Sequence, residues 1–318
     1  METRKLIFLD ETLRDGQQQP FVTFTRAQMI SLALAINGLN LPDAQHKPIY
    51  NIDIMPSMHP MHEEVAKHLL NKEVPITLAT IMKECAIKST RNIGKDIITI
   101  SSLSDELMRV KGINRERNIE STVRELGRAR ERGAKIGLAG EDSARADIGF
   151  LKDYVLATQG LADYFIYCDT DGQANPKDTQ KRIAYLKKSV STPIIMHCHN
   201  DQGNAVRNTL KGILAGADGV SSTFTGIGDR AGNAPTEELV EKLAKEYGII
   251  ISGLDYERLK EVSSLVSLYA ERGPTAPDNP LSEVHEAGIH VDALLKARQT
   301  EQEVYSHKPD GDIKVCIG

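Results

Sequence analysis

The chain predicts an α/β fold, a closed (β/α)8 or TIM barrel with a short C-terminal helical arm, and three observations carry that prediction. Short β-rich runs recur about every thirty residues, each followed by a segment with helical apolar spacing, the signature of βα units around a parallel sheet. Eight such units fit within roughly the first 250 residues, which suits a closed barrel better than an open doubly wound sheet with fewer strands and a switch point. The residues with chemistry to offer fall just past the ends of the predicted strands, where this fold gathers its catalytic groups.

The predicted strands are Leu6–Leu9, Ile49–Met55, Ile76–Ile81, Ile97–Ser101, Lys135–Ala139, Tyr164–Cys168, Ile194–His199 and Gly219–Phe224. Between them lie amphipathic stretches such as Thr25–Asn37, Arg117–Arg132 and Pro176–Lys188, with apolar residues three and four apart. After about residue 250 the β rhythm stops: Leu254–Arg272 reads as a helix closed by Gly273-Pro274, and Pro274, Pro277 and Pro280 make a linker. Ser282–Arg298 then reads as a short helical arm carrying His285, Glu286 and His290. The expected division is a catalytic barrel over residues 1–270 and a linker and arm over 271–318, the arm packing on the barrel or on a partner subunit because it is too small to fold alone.

Composition narrows the function. With 318 residues at 40% hydrophobic, the chain can bury a large core. A formal charge of -5 and a pI near 6.0, with scattered Lys and Arg, give no basic stripe for nucleic acid. The cysteines Cys85, Cys168, Cys198 and Cys316 have no CxxC spacing, which places the chain in a reducing cytoplasm. The N-terminus lacks an apolar signal region, and no run of about 18 apolar residues could cross a membrane, so a soluble, unexported protein is expected.

The chemistry centres on Met196–Asp201, Met-His-Cys-His-Asn-Asp. His197 and His199, two apart on a strand, point to one face, which is metal-ligand geometry; the plain alternative is two packed histidines. The preceding apolar run makes them buried imidazoles at a barrel mouth, where an unpaired ring is costly. Cys198 points the other way, and at least one of Asn200 and Asp201 is expected to cap the helix starting near Gly203. Asp15, in the loop Asp10–Gly16, and Asn233, in the loop Gly226–Asn233, could complete an N/O shell for a catalytic divalent cation. An Asp-Gly turn is the plain reading of Asp15, but Arg14 beside it supplies a permanent charge for a developing oxyanion. The glycines of Gly226–Asn233 lack the GxGxxG pattern of a dinucleotide fold and instead let the backbone turn tightly.

Asp10–Gln18, His197–Asp201, Gly226–Asn233, the pair Glu141-Asp142 and the arm Val284–His290 together resemble the DRE-TIM metallolyase superfamily, in particular the acyl-CoA-dependent synthases of isopropylmalate, homocitrate and citramalate. The resemblance covers essentially the whole chain. It implies a divalent ion (zinc, manganese or magnesium) held by Asp15, His197, His199 and Asn233, with Arg14 stabilising the oxyanion. It implies a Claisen-type condensation in which a 2-oxo acid chelates the ion, a base takes a proton from the methyl group of acetyl-CoA, the enolate attacks the ketone, and thioester hydrolysis drives the reaction forward. His290, with Tyr305 nearby, matches the family's base, assisted by Glu141; a solvent-facing helix is the alternative for both. Gln18 and Thr170 are the expected substrate contacts, and a homodimer with exchanged arms is implied.

The chain departs from the family pattern at Glu11, Gln17 and Asp169–Gln173, where polar residues replace the usual types. Read as a polar pocket, these predict a second acidic or polar group on the 2-oxo acid, as in 2-oxoglutarate or oxaloacetate. The chain also ends where isopropylmalate synthases continue into a regulatory domain, so feedback through such a domain is not expected. Two other readings compete: cleavage of a 3-hydroxy-3-methylglutaryl-type thioester on the same barrel, disfavoured by the lack of a Cys in Gly226–Asn233, and a metal-binding barrel without catalysis that partners an active paralogue.

Overall fold

Eight parallel strands hydrogen-bond in chain order and close on themselves: β1 (Ile7–Asp10), β2 (Ile49–Ile54), β3 (Ile76–Ile81), β4 (Asp96–Ser102), β5 (Lys135–Glu141), β6 (Tyr164–Asp169), β7 (Ile194–Cys198) and β8 (Gly219–Ser222). Closure is made by Ile7–Asp10 pairing with Gly219–Ser222. In this computed structural model the described residues are 1–271, 273, 275, 277–299, 304, 305, 314 and 315. Arg272, Pro274 and Cys316, used in the sequence reading, lie outside them.

The strands are apolar on both faces because both are covered. Phe8, Ile52, Ile54, Leu78 and Leu138 face the helices, while Leu9, Ile98, Ala139, Ile166, Cys168 and Ile195 fill the barrel interior. Gly219 is required where β8 meets β1, since a Cβ there would collide with the Ile7 carbonyl oxygen. The barrel helices are α1 (Arg26–Asn37), α2 (Pro60–Leu70), α3 (Glu84–Ser89), α4 (Asp105–Val110), α5 (Arg115–Arg130), α6 (Ile148–Thr158), α7 (Pro176–Ser189), α8 (Ala205–Leu214) and α9 (Thr236–Tyr247). Polar caps start many of them: Thr25 forms a capping box with Gln28, and Ser104, Asn114, Asp147 and Asn175 each accept a first-turn N–H.

The next helix, α10 (Leu259–Ala270), is shorter than the sequence predicts. Asp255 accepts the N–H groups of Glu257 and Arg258 and holds a turn before it, and Glu271 in the left-handed region (φ 57°) ends it. The arm follows: Val284–His285 pairs with Lys314–Val315, and α11 (Gly288–Gln299) packs Ala293, Leu294 and Ala297 with Val304 and Tyr305 against Leu107 of α4. Within the single chain the arm therefore lies on its own barrel, over the C-terminal ends of the strands. No helix among the described residues is long and apolar enough to cross a membrane.

Candidate active site

The first loop, the end of β7 and the loop after β8 converge on three buried side chains. His197 Nε2 and His199 Nε2 face each other at 3.3 Å, and Asp15 Oδ2 lies 3.4 and 3.7 Å from them. β7 stops one residue earlier than predicted, at Cys198, and His199 pairs instead with Asn233 in an isolated antiparallel bridge. That bridge brings Asn233 to the site. Asp15 Oδ2 and Asn233 Oδ1 are buried and accept no hydrogen bond among the described residues.

Two imidazole nitrogens facing each other beside a carboxylate need a shared positive centre, and the orphaned oxygens supply further ligands. The donor set, two nitrogens and two oxygens, fits a divalent cation. Its supporting hydrogen bonds are also in place. Ser221 Oγ donates to Glu11 Oε1 at 2.8 Å, so its one proton is used and it must accept from His197 Nδ1–H at 3.0 Å. This fixes the tautomer that leaves the Nε2 lone pair toward Asp15. Burial alone would raise the Asp15 carboxyl, but Arg14 and the two imidazoles outweigh it and hold it well below the usual range. Burial also holds His199 well below the ordinary imidazole range, hence neutral and able to act as a ligand.

Arg14 is fixed rather than free. Its Nε donates to Glu11 Oε2 at 2.7 Å, and the guanidinium lies 3.7 Å from Asp15 and 3.4 Å from Asp53. Although burial disfavours its charge, Glu11 and Asp15 raise its basicity, so it remains a cation. Gln18 and Thr170 line the same cavity, with Met55, Ile98, Ile100, Ala139 and Ile166. The Thr170 hydroxyl accepts the Asp142 N–H.

The arm brings the opposite wall. His290 Nδ1 is 2.8 Å from Asp229 Oδ2, which also accepts from Arg230 Nη1 at 2.7 Å. Arg230 is fully buried and clamped by Asp201 and the Thr170 carbonyl as well. Burial opposes the charge on Asp229, but Arg230 and the two arm histidines keep it ionised, well below the ordinary carboxylate range. Tyr305 OH donates to Glu141 Oε1 at 2.7 Å, and its ring lies 4.7 Å from that of His290. Glu141 Oε2 meanwhile accepts from Lys111 at 2.7 Å and from Ser102. Against the upward push of burial, Lys111 and its neighbours lower the Glu141 carboxyl to about 2. A carboxylate so held stays ionised and accepts from Tyr305, whose ring packs beside that of His290.

The ten residues singled out from sequence thus lie around one cavity or one contact away from it: Asn233 through the His199 bridge and Tyr305 through Glu141. Asn200 does receive the Ala205 N–H at the start of α8, whereas Asp201 holds Arg230. Sequence reasoning missed Ser221, Lys111 and the Asp229–Arg230 pair as working parts. Only the charged pair inside Gly226–Asn233 gave a signal, since two adjacent opposite charges in a glycine loop at a barrel mouth seldom face solvent without purpose.

Comparison with known proteins identifies the family and the fold. The HMGL-like family model matches residues 5–266. A putative (R)-citramalate synthase of Archaeoglobus fulgidus is 32% identical over 297 residues, 91% of this chain and 59% of the relative. A 2-isopropylmalate synthase of Caldanaerobacter subterraneus is 30% identical, covering 99% of this chain and 82% of the relative. A homocitrate synthase of Methanocaldococcus jannaschii is 32% identical, covering 93% and 73%. The chain thus spans only part of the length of these relatives, 59% in the case of the citramalate synthase. Among solved structures, the HMG-CoA lyase of Brucella melitensis superposes with a TM-score of 0.70 at 17% identity, over 85% of this chain and 100% of that one. At that identity the likeness concerns the barrel alone, but the match of the family model over most of the chain is decisive: this chain belongs to the HMGL-like, or DRE-TIM, family.

Proposed function

We propose that the chain condenses acetyl-CoA with a 2-oxo acid. The observation that carries this reading is a single cavity with Asp15, His197, His199 and Arg14 on one side and His290 on the other. A divalent ion held by Asp15, His197, His199 and Asn233 would supply Lewis acidity and a template for the 2-oxo acid's carboxylate and ketone oxygens. The rest of the chemistry belongs to side chains. With Nδ1–H donated to Asp229, His290 presents Nε2 as the base that takes a proton from the acetyl methyl group. The methyl carbon then bonds to the ketone carbon, and the ketone oxygen gains negative charge beside Arg14, whose position is already fixed by Glu11. Water cleaves the thioester and frees the CoA thiol. Tyr305, held by Glu141, packs its ring against His290 and keeps the imidazole aimed into the cavity.

The relatives named as citramalate, isopropylmalate and homocitrate synthases support this assignment as an acyltransferase of the converting type. We place it in a cytoplasmic biosynthetic setting, which agrees with the unpaired thiols of Cys85, Cys168 and Cys198. A homodimer that exchanges arms would make the His290–Asp229 and Tyr305–Glu141 contacts between subunits instead of within one. The test is release of CoA thiol from acetyl-CoA across a panel of 2-oxo acids with zinc, manganese or magnesium. Release that needs one acid and stops with chelator is expected. Cleavage of 3-hydroxy-3-methylglutaryl-CoA without any condensation would replace this reading with the lyase, and metal binding without either reaction would leave a non-catalytic barrel.

A further inference from the structure

We propose that the 2-oxo acid this site accepts carries an uncharged, apolar side chain. The proposal rests on the condensation reading above. In the closed barrel order β4 and β5, which carry Ile98, Ile100 and Ala139, lie across from β8 and β1, while β6 is the hydrogen-bonded neighbour of β7; Asp15 follows β1 and the histidines end β7. A substrate whose carboxylate and ketone face those ligands therefore extends its side chain toward Ile98, Ile100 and Ala139, with Met55 after β2 and Ile166 of β6 closing the sides of the same cavity. These are apolar, and all but Ile100 are buried. Ala139 leaves the room between them.

The charges point the same way. Four acidic side chains line the cavity: Glu11, Asp15 and Glu141 are held below the ordinary carboxylate range, while burial and the neighbouring Glu11 push Asp53 well above it, and among the described lining residues Arg14 is the one Lys or Arg. That guanidinium is already shared by Glu11, Asp15 and Asp53. Lys111 is bound to Glu141 and Ser102, and Arg230 to Asp201, Asp229 and the Thr170 carbonyl. His290 is committed to Asp229 through Nδ1. A second carboxylate on the substrate would enter an acidic, largely desolvated space with no cation left to pair it, which is costly.

Of the polar residues from which the sequence predicted an acidic substrate, Gln17, Asp169 and Asp171 are used elsewhere. Gln17 donates to the Leu13 carbonyl and accepts the Phe24 N–H, which closes the first loop. Asp169 accepts from Ala174 N and Asn208, and Asp171 lies 3.4 Å from Arg145. Of the departures from the family pattern other than Thr170, only Glu11 lines the cavity, and it is an acid.

The experiment compares pyruvate, 2-oxobutanoate and 3-methyl-2-oxobutanoate with oxaloacetate and 2-oxoglutarate on the manganese-loaded protein, by calorimetric binding and by thiol release from acetyl-CoA. Uncharged acids should exceed the dicarboxylates in both readouts, by roughly a hundredfold in kcat/KM. Equal or better turnover of a dicarboxylate overturns this inference and leaves condensation standing. Metal-dependent binding of the uncharged acids without turnover supports the pocket and overturns condensation, and binding of no acid overturns both. As a second variant, Ile100→Lys adds a cation at the most accessible point of the wall. It should narrow the preference at least tenfold, and an unchanged ratio in a folded variant removes that wall from the pocket.

Discussion

Asp229→Asn probes the contact that gives His290 its role. The side chain keeps its shape and can still accept from Arg230 and His290 through the amide oxygen, so the imidazole tautomer is preserved; the negative charge goes, together with the acceptor of the Glu286 N–H. In the proposed step His290 becomes an imidazolium, whose Nδ1 lies 2.8 Å from the Asp229 oxygen. For charge centres roughly 4 Å apart at an effective dielectric of about 20, the lost attraction is about 4 kcal/mol at most. Discounted for relaxation to roughly 3 kcal/mol, this is about a hundredfold in rate. Because the interaction strengthens only as the proton arrives, the loss should appear in kcat with KM for both substrates little changed. Steady-state thiol release measures the split, and Asp229→Glu, which restores the charge, should recover much of kcat. A folded Asp229→Asn protein with native kcat would refute the imidazolium role of His290, and an effect confined to KM would turn Asp229 into a mere scaffold for the arm.

Three further outcomes follow from the same geometry. Ser221→Ala breaks the hydrogen-bond chain from Glu11 to His197 and should weaken metal affinity ten- to a hundredfold, read by competition with a chromophoric chelator; unchanged affinity would dismiss the tautomer argument. Asp10 is buried with Thr12 as its donor, and burial raises its carboxyl from 3.8 to about 8, so its contribution to stability is full below pH 4 and is lost as pH rises through 8. Asp10→Asn should therefore flatten the wild-type decline, with a Tm advantage that grows from pH 5 to about pH 8 and corresponds to at most roughly 6 kcal/mol; parallel Tm curves would contradict it. Lys111→Met removes the main group that holds Glu141 near 2, so an acid limb absent from the wild-type kcat profile should appear between about pH 4 and 6. Superimposable profiles would show that the ionisation of Glu141 does not matter.

The barrel was legible because its signal is local and repeated. Continuous apolar runs such as Ile194–Met196 can only be strands covered on both faces, and a strand ending in His-Cys-His commits both rings to one side. The side-chain directions within loops were not legible. Asp142, Thr225 and Arg230 adopt left-handed backbone (φ 63°, 61° and 54°), and each turns the chain in a way no periodicity announces. That is why Asp201 reaches Arg230 instead of a helix start; Gln17, apparently a mouth residue, closes its own loop through Leu13 and Phe24. Ser221 lies 210 residues from Glu11 in sequence and meets it only because β8 closes against β1.

Closure of that ring also explains why one loop residue connects the parts of the site. The Asp229 backbone N–H donates to Asp15 Oδ1 at 3.3 Å, its Oδ1 accepts the Glu286 N–H at 3.2 Å, and its Oδ2 holds His290. Ligand, loop and arm therefore share one point of attachment. Among the described residues the arm is held besides by Tyr305 on Glu141, by His285 beside Asp229, and by a small apolar patch of Leu107, Ala293, Leu294, Ala297, Val304 and Tyr305, separate from the main core. Its docked and undocked states should thus differ by only a few kcal/mol, the usual range for a local opening. This makes a second, separable demand on Asp229→Asn: amide exchange should rise in α11 while the barrel strands keep wild-type protection. If the whole barrel exchanged faster instead, Asp229 would be holding the fold together through Arg230, and the loss of kcat could not be assigned to His290.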